Sequence, residues 1–219
     1  MTGRRDVLAE TFDAVLFDMD GTLLDSTASV VRSWTRWAGE FGVPLSALTS
    51  RSFHGVPARD IVAILLPEGD LEAAHDRIVE LEVLDATDCA ALPGAVPALA
   101  AAAGRAAVVT SCSAPLAAAR LAAARLPVPA VVVTADDVMR GKPDPEPFLA
   151  AARRLGADPR RCLVVEDAPA GLAAGAAAGC ATVAVTTTHG PEDLVADVVV
   201  GSLADVVVSV DGGLRLRPA

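Results

Sequence analysis

The chain has 219 residues, of which 53% are hydrophobic and 21% are charged, and its formal net charge is -10. This length and composition are typical of a globular protein of one or two domains and exclude a disordered chain. The negative charge opposes nonspecific attraction to nucleic acid, and an anionic ligand would need a locally positive site. We therefore expect no nucleic-acid partner.

The N-terminal segment and the cysteines bear on the compartment. Acidic residues follow Arg4 and Arg5 closely, so no signal-peptide core develops. The longest weakly polar run, residues 168–185, is rich in Ala and Gly and follows two acids, which argues against a membrane span. The four cysteines have no CxxC spacing, and we expect reduced thiols. We expect a cytoplasmic protein without a membrane partner, either a monomer or a weak dimer.

Short Val-rich runs alternate with helix-compatible segments along most of the chain. This alternation predicts a doubly wound, Rossmann-like α/β fold, in which helices cover both faces of a parallel sheet. The predicted strands are 15–17, 106–110, 131–134, 163–165, 183–185 and 198–200. The predicted covering helices are 94–103, 115–126, 145–155 and 168–178. Near the C-terminus, residues 206–210 and 214–216 flank Asp-Gly-Gly and predict a hairpin.

A long segment without a Val-rich strand separates the first two predicted strands. Its apolar residues have helical spacing over 27–40 and 70–84, and we interpret Trp34 and Trp37 as core residues. Ligands of open α/β sheets bind beyond the carboxyl ends of the strands, so an insertion at this point suggests a lid. We predict an α/β core domain of residues 1–24 and 92–219 and a helical cap domain of residues 25–91.

Two carboxylates follow the first predicted strand in the segment Asp18-Met19-Asp20-Gly21-Thr22. Residues i and i+2 of an extended chain point to the same side, so Asp18 and Asp20 are expected to converge, and their like charges repel. A cation would resolve that repulsion. Mg²⁺ is the natural choice because it takes carboxylate and carbonyl oxygens and leaves positions for phosphate.

Three further segments place polar residues beside predicted strands and helices. Ser111 follows the second strand, where its hydroxyl and the following amides are suited to phosphate oxygens. Lys142 is the only lysine in the sequence and precedes a proline, which suggests a fixed ammonium point charge. Glu166 and Asp167 end another apolar strand directly before a helix that starts with proline.

The segment beginning at Asp18 resembles the first motif of the haloacid dehalogenase superfamily of phosphohydrolases. The resemblance implies that Asp18 is the nucleophile that forms an aspartyl-phosphate and that Asp20 is the general acid and base. It makes Ser111 and Lys142 the phosphate-binding residues. It also implies that Asp167, the Asp18 carboxylate and the Asp20 backbone carbonyl hold Mg²⁺. The resemblance extends from about residue 11 to about residue 189.

Motif order and spacing match the subgroup that carries a helical cap between its first two motifs. Several segments are similar to those of sugar and polyol phosphate phosphatases, namely 53–60, 133–138, 141–148 and 166–171. In that comparison His54 and Arg59 face substrate hydroxyls or phosphate, or support packing of the cap. The implied reaction is magnesium-dependent hydrolysis of a small phosphorylated metabolite.

Several alternatives stay open. β-Phosphoglucomutase shares the cap and the acid pairs, but its cap-proximal histidine and its cap lysine correspond here to Val30 and His54. Phosphoglycolate phosphatase is a further alternative. A dehalogenase would lack the second aspartate, so Asp20 argues against it, and a non-catalytic relative would be expected to lose its chemical residues first. Glu166 ligates the metal directly or lies beside it.

Overall fold

The computed structural model describes residues 6–50, 53, 56–210 and 213–219. Its strands are β1 (Ala14–Phe17), β2 (Leu24–Asp25), β3 (Ala90–Ala91), β4 (Ala106–Val109), β5 (Val131–Val133), β6 (Cys162–Glu166), β7 (Ala181–Val185), β8 (Val198–Val200), β9 (Val206–Val210) and β10 (Leu214–Pro218). Its α-helices are α1 (Thr27–Phe41), α2 (Leu45–Thr49), α3 (Ala58–Leu65), α4 (Leu71–Leu84), α5 (Ala95–Ala101), α6 (Ala114–Ala123), α7 (Glu146–Leu155) and α8 (Pro169–Ala177).

Six parallel strands form the central sheet in the order β5-β4-β1-β6-β7-β8. They are the six strands that the Val-rich runs predict, and the predicted α/β class is confirmed. Continuous apolar strands form such a sheet because both of its faces are buried under helices. Phe17 of β1 packs in a cluster with α5 and α6, whereas its neighbour Leu16 packs on the other face with α7.

The predicted hairpin is also present, since β9 and β10 pair antiparallel. Two residues of its connection, Asp211 and Gly212, lie outside the described residues. All four cysteines are described and are free thiols, as expected. None of the helices in the described ranges is both long and apolar enough to cross a membrane.

Between β2 and β3 the described residues form four α-helices with an apolar cluster of their own. The two helices that the sequence predicts correspond to α1 and α4, and the structure adds the shorter α2 and α3. Trp37 is fully buried in this cluster, and its indole Nε1 donates to the carbonyl of Ala74 at 2.8 Å. Strands β2 and β3 pair antiparallel, so the chain enters and leaves this segment at one place. The division into core and cap domains stays a prediction.

Candidate active site

The carboxyl ends of neighbouring strands bring the predicted site residues together. Strand β1 lies between β4 and β6 in the sheet, and the chain continues from these three strands into Asp18, Thr110 and Asp167. Because the strands are parallel, all three continuations emerge at the same edge of the sheet. This edge forms the floor of a cleft of about 1020 Å³ that Asp18, Asp20, Ser111 and Lys142 line.

Lys142 lies at the centre of this floor. Its Nζ is 2.5 Å from Asp18 Oδ1 and 2.8 Å from Glu166 Oε1, and it donates to the Val109 carbonyl at 3.0 Å. Its side chain is only 1% exposed. Burial opposes its charge, but the two carboxylates outweigh burial and raise the pKa of Lys142. The two carboxylates therefore favour the charged form of Lys142 beside Asp18.

Glu166 holds this lysine and the turn that follows β6. Its Oε1 accepts from Lys142, and its Oε2 accepts from the backbone amides of Asp167 and Ala168 at 2.9 and 2.8 Å. Both carboxylate oxygens thus have protein partners. The carboxylate also lies directly against the Cα of Gly171 in α8, where a Cβ would overlap Glu166 Oε1.

Asp18, Glu166 and Asp167 form a buried acidic cluster. One carboxylate oxygen of each lies within 4.8 Å of the others. Burial is the main cause, and the charge of Glu166 the second, of the rise in the pKa of Asp167 to about 7. Burial also raises the pKa of Asp18 well above its ordinary value. Lys142 supplies one positive charge against three carboxylates, so a divalent cation would fit the remaining charge. Thr188 donates to Asp167 from its hydroxyl.

The carboxylate of Asp20 has a separate set of partners. Its Oδ1 accepts from Ser26 Oγ at 2.6 Å and from Arg120 Nη1 at 3.0 Å, and its Oδ2 accepts from the Cys112 thiol at 3.2 Å. The i, i+2 spacing of an extended chain predicts that Asp20 lies beside Asp18. In the structure β1 ends at Phe17, so the alternation of an extended strand does not govern where Asp20 points. Its part in metal binding stays a prediction.

Arg120 and Glu82 are two further residues of the site that the sequence motifs do not reveal. Arg120 in α6 is 2% exposed and bridges Asp20 and Glu82, and its Nη2 lies 2.9 Å from Glu82 Oε1. An arginine within the otherwise apolar run 114–123 was the available signal. Its carboxylate partners lie 38 and 100 positions away in the chain, so only the fold reveals the contact.

The opposite wall of the cleft comes from α1 to α3 and the segments between them. Apolar residues dominate this wall, namely Val30, Val31, Trp34, Leu45, Leu48, Phe53 and Val56. Arg59 also lines the cleft, and it forms a surface ion pair with Glu72, with its own side chain 57% exposed. His54, the second residue suggested for substrate recognition, lies outside the described residues.

A family model described as haloacid dehalogenase-like hydrolase matches residues 12–179. The chain belongs to this family. It is 40% identical over 202 residues to hexitol phosphatase A from Escherichia coli (strain K12), covering 89% of this chain and 93% of that protein. It is 35% identical over 210 residues to validoxylamine A 7'-phosphate phosphatase from Streptomyces hygroscopicus subsp. limoneus, covering 89% and 96%.

The fold of this haloacid dehalogenase-like hydrolase is also found in solved structures. The crystal structure of a hydrolase from Pseudomonas syringae superposes with a TM-score of 0.78 at 28% identity, covering 90% of this chain and 95% of that one. The matched region of the family model runs from Phe12 to Gly179 and therefore contains every residue of the cleft floor described above. The resemblance drawn from the four motifs is confirmed.

Proposed function

We propose that this haloacid dehalogenase-like hydrolase cleaves the phosphate monoester of a small sugar or polyol with the help of Mg²⁺. The observation that carries the proposal is the buried contact of Lys142 with Asp18 on the floor of the cleft. A cation beside a buried carboxylate is suited to bring a phosphate against that carboxylate. The two relatives named above as phosphatases support the reaction, and the name hexitol phosphatase A supports a polyol substrate.

Asp18 is the nucleophile in this proposal. Its carboxylate attacks phosphorus while the bond from phosphorus to the bridging oxygen breaks, and an aspartyl-phosphate forms. The Asp20 carboxyl gives its proton to the departing oxygen. In the second step Asp20 takes a proton from water, and that water attacks phosphorus and restores Asp18. Two chemically easier steps thereby replace one very slow hydrolysis.

Lys142 and Ser111 hold the phosphate in this scheme. Lys142 is fixed by Glu166 and by the Val109 carbonyl, so its ammonium is positioned before any substrate arrives. Ser111 lines the same cleft. A Mg²⁺ ion held by Asp18, by Asp167 and by the Asp20 carbonyl would neutralise charge on the phosphate oxygens. Glu166 is the less suitable ligand because both of its oxygens already have partners.

The residues in the walls of the cleft would determine the selectivity among phosphate esters. Arg59 is suited to contact substrate hydroxyls, since its exposed side chain lies in the cleft and its ion pair with Glu72 is at the surface. His54 is the second residue that we propose for this role. Val30 stands where the mutases carry a histidine, which favours hydrolysis over phosphoryl transfer to a second sugar.

A screen of phosphate release tests the proposal. Sugar, polyol and glycolate phosphates are incubated with the protein and Mg²⁺, and we expect one class to be preferred. Asp18→Asn should abolish release, whereas Asp13→Asn, at the other end of β1 in a surface pair with Arg161, should leave it unchanged. Unchanged turnover in Asp18→Asn or in excess EDTA would contradict the mechanism.

The mutase alternative has a separate readout. The protein is given β-glucose 1-phosphate with a catalytic amount of a glucose bisphosphate. Accumulation of glucose 6-phosphate would identify a mutase, and free phosphate would identify a hydrolase. We expect free phosphate.

A further inference from the structure

We propose that Arg120 is a positioning residue, which is held by Glu82 and in turn holds the carboxyl of Asp20 in place for proton transfer. The inference rests on the proposed function, because it assigns Asp20 the proton that the leaving oxygen receives. It adds two residues that the four family-like motifs do not contain. Neither Arg120 nor Glu82 needs to touch the substrate for this role.

The geometry is that of one guanidinium shared between two acids. Arg120 Nη1 lies 3.0 Å from Asp20 Oδ1, and Arg120 Nη2 lies 2.9 Å from Glu82 Oε1. Arg120 Nη1 also lies 3.1 Å from the Cys112 sulfur, which itself contacts Asp20. A planar guanidinium presents its donors in a fixed fork, so one acid fixes the orientation that the other acid meets.

Burial distinguishes this cluster from the many arginine pairs at the surface. The side chains of Arg120 and Glu82 are 3% and 6% exposed. An arginine keeps its charge in proteins, and the carboxylates of Asp20 and Glu82 both lie within hydrogen-bond distance of this one. The side chain of Asp20 is 27% exposed where it lines the cleft. Arg120 is buried and cannot readily exchange its carboxylate partners for water, so the contact constrains the Asp20 side chain.

The three residues come from three separate parts of the fold. Asp20 follows β1, and Arg120 lies in α6, a helix that packs on one face of the sheet. Glu82 lies near the end of α4 in the inserted helical segment. Glu82 also accepts a hydrogen bond from the side chain of Trp34 in α1. Arg120 thus connects the helices of the predicted cap to the proposed proton donor.

The dependence of kcat/KM on the leaving group distinguishes a positioning role of Arg120 from a purely structural one. An alkoxide must receive a proton as its bond to phosphorus breaks, whereas p-nitrophenolate departs without one. The ratio kcat/KM reports the steps up to release of the alcohol and is independent of the later hydrolysis of the aspartyl-phosphate. A displaced Asp20 should therefore lower kcat/KM for an alkyl phosphate selectively.

The experiment compares glycerol 1-phosphate with p-nitrophenyl phosphate in the full-length protein with Mg²⁺. For Arg120→Met we expect kcat/KM on the alkyl ester to fall at least about tenfold further than on the aryl ester. The control is Arg32→Met, which removes a partly exposed arginine that also bridges two acids, Asp85 and Asp88, but does not contact Asp20. In Arg32→Met the kcat/KM values for the two esters should change by the same small factor.

Two milder variants keep the inference testable if Arg120→Met does not fold. Arg120→Lys keeps the charge but loses the fork, and Glu82→Gln keeps the shape but loses the anion, so both should show a smaller selective loss. Equal losses on the two esters in every folded variant would overturn the positioning role. Absence of wild-type activity on both esters and throughout the screen would instead overturn the proposed function.

Discussion

At the scale of single residues, the contacts of Lys142 explain why an arginine-rich chain has a lysine at this one position. Lys142 fits between Asp18, Glu166 and the Val109 carbonyl and donates to all three. An ammonium has three donors around one small atom, whereas a guanidinium is broad and planar. The Lys142 side chain is almost completely buried, so the larger guanidinium of an arginine would not fit the same three partners.

Substitution of Lys142 tests whether this position requires an ammonium group. Lys142→Met should reduce kcat by about 10²-fold or more because it removes a fixed charge at the reacting group. It should also reduce the free energy of unfolding by about 3–5 kcal/mol because two buried acids lose their partner. Lys142→Arg should restore neither property. Steady-state kinetics and urea denaturation provide the measurements, and full activity in Lys142→Arg would contradict the geometric argument.

At the scale of elements, two helical glycines should respond to alanine in opposite ways. Gly39 in α1 has open space where a Cβ would lie, so Gly39→Ala should stabilise the protein by about 0.5–1 kcal/mol. Gly171 in α8 lies against Glu166, so its Cβ would displace the carboxylate that holds Lys142. We expect Gly171→Ala to lose activity despite the better helix propensity of alanine. Thermal unfolding and phosphate release separate the two effects.

Helix α1 depends on Trp37 for its packing against α4. Trp37→Ala should reduce the free energy of unfolding by about 3–5 kcal/mol through lost burial and an empty space, and it also leaves the Ala74 carbonyl without its indole donor. Hydrogen exchange should show the earliest opening in α1 to α4 and continued protection of β1, β4 and β6. Val31→Ala, on the exposed side of α1, is the control and should change stability by less than about 0.5 kcal/mol.

At the scale of the whole molecule, the buried acids couple stability to pH and to metal. The ordinary pKa of Asp167 is 3.8, and the folded state raises it to about 7. Between these values the folded protein binds more protons than the unfolded one. The stability of the metal-free protein should therefore fall as pH rises through this window. A bound cation favours the ionised carboxylates and should reverse the trend.

Thermal unfolding with and without Mg²⁺ measures this coupling. We expect the gain in Tm from Mg²⁺ to be larger at pH 8 than at pH 5.5, because protons compete with the metal at the lower pH. In Asp167→Asn the gain should be small at both values. An equal gain at both pH values in the wild-type protein would show that the ion binds elsewhere.

The sequence by itself determined the sheet and the floor of the cleft. The strands are continuous apolar runs whose ends carry Asp18, Ser111 and Asp167, and parallel strands must bring such ends to one edge. The same local signals identified α1 and α4 by their spacing. The short helices α2 and α3 were not identified, because five to eight residues are too few for a clear helical period.

Only the tertiary structure decided which side chains meet above that floor. Local spacing predicted that Asp20 lies near Asp18, but it could not predict that a buried guanidinium from α6 contacts both Asp20 and Glu82. Such a contact has no period in the sequence, because it depends on how α4 and α6 pack at the base of the inserted helices. The position of a residue at the carboxyl end of a parallel strand places it at one edge of the sheet. The packing of elements that are distant in sequence determines which side chains it contacts there.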